Sequence, residues 1–204
     1  NQLLVTYHLV PMKRQTFTIE PRITNSNSIL GIMGSVNYSN KNLFRGAQKL
    51  KISFIGGFES QPRIVDTEAG SDDQNKAWNL NTFEWGPSIE LIFPKLVPMT
   101  AKIQATSSKR AYPSTVFDLT VNFQKRYEFS RRLAHFSYEW NFKQDKTQEW
   151  KLKWVNFNFV KLDKEPFFEQ KLIELNDPFL MNSYSDHFSL YNQLDYHYTN
   201  QFSN

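Results

Sequence analysis

The chain has 204 residues, enough for one domain of ordinary size, with 40% hydrophobic residues, mean hydropathy −0.57 and a formal net charge of +4. No apolar run approaches the ~18 residues of a spanning helix, which excludes a helical membrane protein, and the charge is too small and scattered to argue for nucleic acid. Cysteine is absent, so disulfides and thiolate metal sites are excluded, while aromatic residues reach 16%, a level suited to the girdles of a membrane β-barrel.

Residues 3–10 (LLVTYHLV) read as a short strand ended by Pro11, followed by a linker, Met12-Lys13-Arg14. Residues 15–24 alternate: Phe17, Ile19 and Ile23 face one way and Thr16, Thr18, Glu20, Arg22 and Thr24 the other. Pro21 interrupts that run, and because proline cannot donate to a ladder, the pattern predicts an edge strand or a weakly paired one. Residues 25–28 (NSNS) are a turn signal. Two further alternating runs follow. Leu30, Ile32, Val36 and Tyr38 share a face, as do Leu50, Ile52, Phe54 and Phe58, and a polar turn over residues 40–47 joins them. Gly56-Gly57 reads as a bend or a close backbone approach.

Residues 60–76 form a polar loop whose acidic Asp72-Asp73 pair lacks the spacing of a calcium loop. In residues 81–93, Phe83, Trp85, Ile89, Leu91 and Phe93 alternate with polar residues that include Glu84 and Glu90. The two glutamates read as lumen residues rather than an acid–base pair. A basic, Ser-rich connection over 101–113 leads to Phe117, Leu119, Val121 and Phe123, and then to the strongest aromatic face, Phe136, Tyr138, Trp140 and Phe142. Residues 152–160 carry apolar side chains on both faces, which predicts some covering on the inner side. Residues 172–175 suggest a helical turn and Asn176-Asp177-Pro178 a turn. The last alternating run carries Phe188, Leu190, Leu194, Tyr196 and Tyr198.

No enzyme is read here. The four histidines have no metal-ligand spacing partners, there is no phosphate loop and no Gly-x-Ser-x-Gly, and Ser185-Asp186-His187 are consecutive, so neighbouring side chains point apart along a strand. No cofactor is required.

Two stretches carry a family likeness. The turn Asn42-Leu43-Phe44-Arg45-Gly46-Ala47, followed by Gly56-Gly57-Phe58-Glu59, resembles the turn after the second barrel strand in the BamA/TamA superfamily of outer-membrane β-barrel proteins, in a form that looks like its Bacteroidota branch. A second stretch, from Pro113-Ser114-Thr115 through Asn122, Gln124, Arg126, Phe129 and Arg131, is similar to another family segment in residue order. The resemblance implies an all-β fold, an antiparallel transmembrane barrel with about eight strands here out of roughly sixteen. Residues 1–14 would then be the end of a periplasmic POTRA-like module with its linker, and 15–204 the N-terminal part of the barrel.

The resemblance further implies localisation in the bacterial outer membrane and a role in assembly, insertion or translocation of outer-membrane proteins through a weakly paired seam. The seam strand would carry Gln15, Phe17, Ile19, Pro21 and Ile23. Partners would be outer-membrane lipid, client β-barrel proteins, and periplasmic or lipoprotein assembly factors. The lipid side would carry Phe54, Phe58, Phe83, Trp85, Phe93, Phe117, Phe123, Phe136, Tyr138, Trp140, Phe142, Tyr196 and Tyr198. The family's later Val/Ile-Arg-Gly-Phe loop does not occur in these residues. Two alternatives stand beside this reading: an outer-membrane pore or an anchor for a secreted or lipase-like domain, and a soluble β-sandwich whose aromatic faces pack on one another.

Overall fold

Aromatic and β-branched residues at every second position favour extended backbone, where alternate side chains leave on opposite faces. The computed structural model describes residues 13–26, 29–60, 81–98, 113–143 and 147–199. In it those runs form eight strands: β1 (Gln15–Ser26), β2 (Ile29–Asn40), β3 (Lys49–Ser60), β4 (Thr82–Phe93), β5 (Ser114–Lys125), β6 (Phe129–Lys143), β7 (Gln148–Lys164) and β8 (His187–Tyr198). Among the described residues the protein is all-β apart from two short helices, α1 (Pro166–Leu175) and α2 (Pro178–Ser183), between β7 and β8.

Each strand pairs antiparallel with the next in one sheet of order β1-β2-β3-β4-β5-β6-β7-β8. Among the described residues β1 and β8 are its two edges and do not pair with each other, so the sheet they form is open rather than a closed barrel. Most strands have 12 residues, and β6 and β7 have 15 and 17. Of the turn expected at 25–28, Asn25 and Ser26 belong instead to β1, and residues 27–28 lie outside the described residues. The expected strand at 3–10, the loop at 61–76 and most of the 101–113 connection lie outside the described residues.

Register makes the two faces uniform. The row Phe17, Tyr38, Ile52, Ile89, Leu119, Phe136, Phe157 and Leu190 crosses all eight strands and is wholly apolar or aromatic. The adjacent row on the opposite face reads Thr18, Asn37, Ser53, Ser88, Thr120, His135, Asn158 and Ser189. On that polar face several groups pair with one another. Lys51 pairs with Glu90 at 2.6 Å, Asn122 Nδ2 donates to Glu84 at 2.7 Å, and Asn158 Oδ1 lies 2.7 Å from His135 Nδ1.

The ladder accounts for the two-sided pattern of one strand. Residues 152–160 are apolar on both faces because the β6–β7 register shifts at Tyr138/Glu139 and the β7–β8 register between Lys153 and Asn156. One extra residue in β7 rotates the strand, so Trp150, Leu152, Val155, Phe157 and Phe159 all reach the apolar side. On the inner side Val160 is buried, and the covering continues further along. Leu162 packs, with Phe167, Leu180 and Tyr184, against a small core of Phe129, Phe168 and Leu172. Helices α1 and α2 thus sit over one end of the polar face. Pro166 opens α1 and Asn176 ends it in the left-handed region, while the Asp177 carboxylate caps α2 by accepting from the Phe179 and Leu180 N–H groups.

Candidate functional site: an open edge beside an uncovered apolar face

All thirteen aromatic residues expected on the lipid side share the apolar face. No second sheet covers it among the described residues. Phe54 is 46% exposed, Phe58 48% and Tyr198 59%, and the aliphatic Ile23 of β1 reaches 76%. Cross-strand ring pairs tie the face together, with Trp85 stacked on Phe123 at 4.5 Å and Phe117 on Tyr138 at 4.9 Å between ring centres. A monomer in water rarely leaves so large a contiguous apolar surface bare.

The apolar band crosses the ladder obliquely. On β1 it runs from Phe17 to Ile23, and on β8 from Phe188 to Tyr198. Measured from the common row through Phe17 and Leu190, its lower limit slips by 8 residues and its upper limit by 4 across the sheet. With ~3.3 Å per residue and ~4.8 Å between strands, a level band then requires strands inclined by roughly 20–40°. Spanning barrel strands incline by about 35–45°. Charges mark the upper limit on β5 to β7, where Lys125, Arg132 and Lys161 follow the last apolar residues and Arg132 pairs with Asp163.

The height of the band also varies from strand to strand. Its apolar limits lie ten residues apart on β4 (Phe83 to Phe93) and on β8, but only six apart on β1 and on β5 (Phe117 to Phe123). At an inclination of ~30°, this corresponds to roughly 29 Å at β8 and 17 Å at β1.

The β1 edge has a defined polarity. Lys41 N–H donates to Arg14 O at 2.9 Å, which fixes the alternation: even-numbered residues of β1 bond to β2 and odd-numbered ones turn their backbone groups to the open edge. Pro21, opposite Gly34, is therefore the position where that open edge lacks a donor. The sequence placed Pro21 on an edge strand, and β1 is one, but the proline removes nothing from the β1–β2 ladder. Gln15, Phe17, Ile19 and Ile23 present their amides to the same edge while their side chains join the apolar face.

The turn motif lies at the β2–β3 end of this site. Asn42 Oδ1 accepts from Ala47 N–H at 3.0 Å, Asn40 Oδ1 from Asn42 N–H at 3.0 Å, and Leu43 N–H donates to Gln48 O at 2.9 Å. Arg45 and Ala47 take φ of 60° and 59°, whereas Gly46 does not adopt positive φ. Phe44 is 65% exposed at the loop tip.

Sequence reasoning missed a strap over the apolar face. Residues 94–98 fold back at the lower end of β4, where Leu96 is buried. The Thr115 hydroxyl donates to Lys95 O at 2.8 Å and accepts from Val97 N–H at 2.9 Å, and Val97 O receives the Trp140 Nε1–H at 2.9 Å and the Tyr138 hydroxyl. The available signal was Thr115, a lone polar residue on the apolar side of β5, aligned with Trp140. The second resembling stretch lies chiefly on the polar side, where Asn122 and Gln124 hold Glu84, and Arg126 pairs with Glu128 at the β5–β6 turn. The chain matches no family model, no curated protein and no solved structure.

Proposed function

We propose that this chain is part of an outer-membrane β-barrel that assembles or inserts other β-barrel proteins, with β1 as the strand on which a client strand adds. The observation that carries the reading is the coincidence at β1 of an open backbone edge with a short stretch of an uncovered apolar band. In hydrocarbon, backbone groups cannot stay unpaired, so an edge of this kind calls for another strand. A client strand offering its own N–H and C=O groups supplies one by β-augmentation. Pro21 leaves one partner carbonyl without an answering donor, so the new ladder is weaker than a continuous one and can exchange. A thin apolar band beside the edge draws the bilayer inward and lowers the cost of passing polar backbone into it.

The polar face, in this reading, lines the water-filled side of the barrel, and the oblique band sets the strands' inclination. The resemblance of the 42–47 turn and the 113–131 segment to the BamA/TamA superfamily supports the same role. Because the chain has no cysteine, single cysteines at Phe17 and Ile19 can be cross-linked to single cysteines on a client's terminal strand during insertion. Cross-links at β1, with none at Ile52 on the interior strand β3, are expected. Equal or absent cross-linking at β1 in membrane-integrated protein would remove the insertase role and leave the pore or anchor.

A further inference from the structure

Two glycines open the apolar face where no backbone requirement explains them. Gly34 of β2 and Gly56 of β3 are cross-strand partners, in the row that runs from Pro21 to Trp85. A glycine inside a strand usually marks a bulge, a left-handed backbone or a close approach. The register runs without a shift through Gly34 and Gly56, and no described glycine has positive φ. A Cβ on Gly34 would meet nothing within 4 Å, and one on Gly56 only ordinary contacts, the nearest at 3.7 Å to the Phe54 ring. The neighbouring Gly57 is different, since a Cβ there would lie 2.8 Å from Ile32 O. Gly57 is the close approach that the sequence suggested for the pair, whereas Gly34 and Gly56 leave space.

That space is an open groove of about 490 Å³. Phe58 and Phe83, 5.0 Å apart between ring centres, form one wall, and Phe54 and Trp85, 6.0 Å apart, form the other side. Gly34 and Gly56 are its floor. Apart from the Trp85 indole nitrogen, the side chains that line it on this face, Ile32, Phe54, Phe58, Phe83 and Trp85, are all carbon. We propose that the groove is a binding site for one hydrocarbon chain of a membrane lipid, seated across β2 and β3 next to the β1 edge. The proposal rests on the reading of this face as the lipid side. It follows from the site's place inside the apolar band, with Phe54 below it and Phe58 and Phe83 above, where the surrounding medium is hydrocarbon. A bound chain fills the hollow that a flat row of side chains would not leave.

The test uses the complete protein in phosphatidylcholine vesicles containing lipid brominated on its acyl chains, with Trp85 as the only tryptophan and phenylalanine at Trp78, Trp140, Trp150 and Trp154. A Cβ on Gly34 meets nothing within 4 Å, so Gly34→Leu puts a side chain into the groove. The expected result is strong quenching of Trp85 that falls at least twofold in Gly34→Leu, with heat-modifiable migration unchanged. The same comparison with all five tryptophans retained should move in the same direction, and it guards against misfolding of the single-tryptophan protein. Unchanged quenching in an integrated Gly34→Leu protein overturns the site and shows ordinary lipid contact only. An integrated protein whose Trp85 is unquenched with Gly34 present also overturns it, and points to a polypeptide occupant. Failure of the native protein to integrate would refute the lipid-side reading itself and the proposal with it.

Discussion

If the narrow band at β1 thins the adjoining bilayer, widening it should slow client insertion. Gln15 and Asn25 bound the apolar run of β1, and both are exposed odd-numbered residues on the same face. Replacing both with leucine extends that run from six to ten residues, the span already present on β8. The local mismatch of roughly 12 Å then disappears. At ~0.2 kcal/mol per Å of mismatch, the lost assistance is about 2 kcal/mol, or roughly a 30-fold slower insertion if all of it acts on the barrier. The assay follows a client barrel becoming heat-modifiable in vesicles of increasing chain length, with Gln15→Leu/Asn25→Leu compared to the native protein. The difference should be largest in thick bilayers and vanish in short-chain ones. A variant that folds normally and inserts clients at the native rate in every bilayer would refute the link between band height and activity.

Phe136→Lys places a charge in the middle of the apolar face and should block membrane integration, at about 2–4 kcal/mol for a lysine near the midplane, seen as loss of heat-modifiable migration. Normal migration would count against a lipid-facing Phe136. Ala47→Gly should raise the urea midpoint, with a gain of about 0.5–1 kcal/mol, because Ala47 holds a left-handed backbone that glycine adopts without strain.

The alternation that defines both faces was open to reading because nearly every strand keeps a strict period of two, so each apolar residue announces its side. β7 broke the rule: Trp154 and Val155 are neighbours, and one extra residue there cannot be told from inner covering without the ladder. The helix before Asn176 was visible only at its end, since Phe167, Phe168 and Leu172 gain their meaning from Phe129 and Leu162, which are distant in sequence. The strap at 94–98 could not be seen in the sequence because its partners, Thr115, Tyr138 and Trp140, lie on two later strands. Pro21 marked an edge correctly, but only the hydrogen-bond parity of β1 tells which side of the strand lost its donor. Gly56-Gly57 looked like one feature and is two, a tight contact and a hollow.

The parity of β1 also disciplines anything that zips onto it. Side chains that meet grease belong to the very residues whose amides face outward, so a newcomer displaced by a single position would turn its own greasy side chains toward water. Docked strands can therefore advance only in two-residue strides, each about 7 Å long. Such a rail permits creeping growth of a hairpin while refusing half-steps, with Pro21 as the one notch where every passing strand loses its grip.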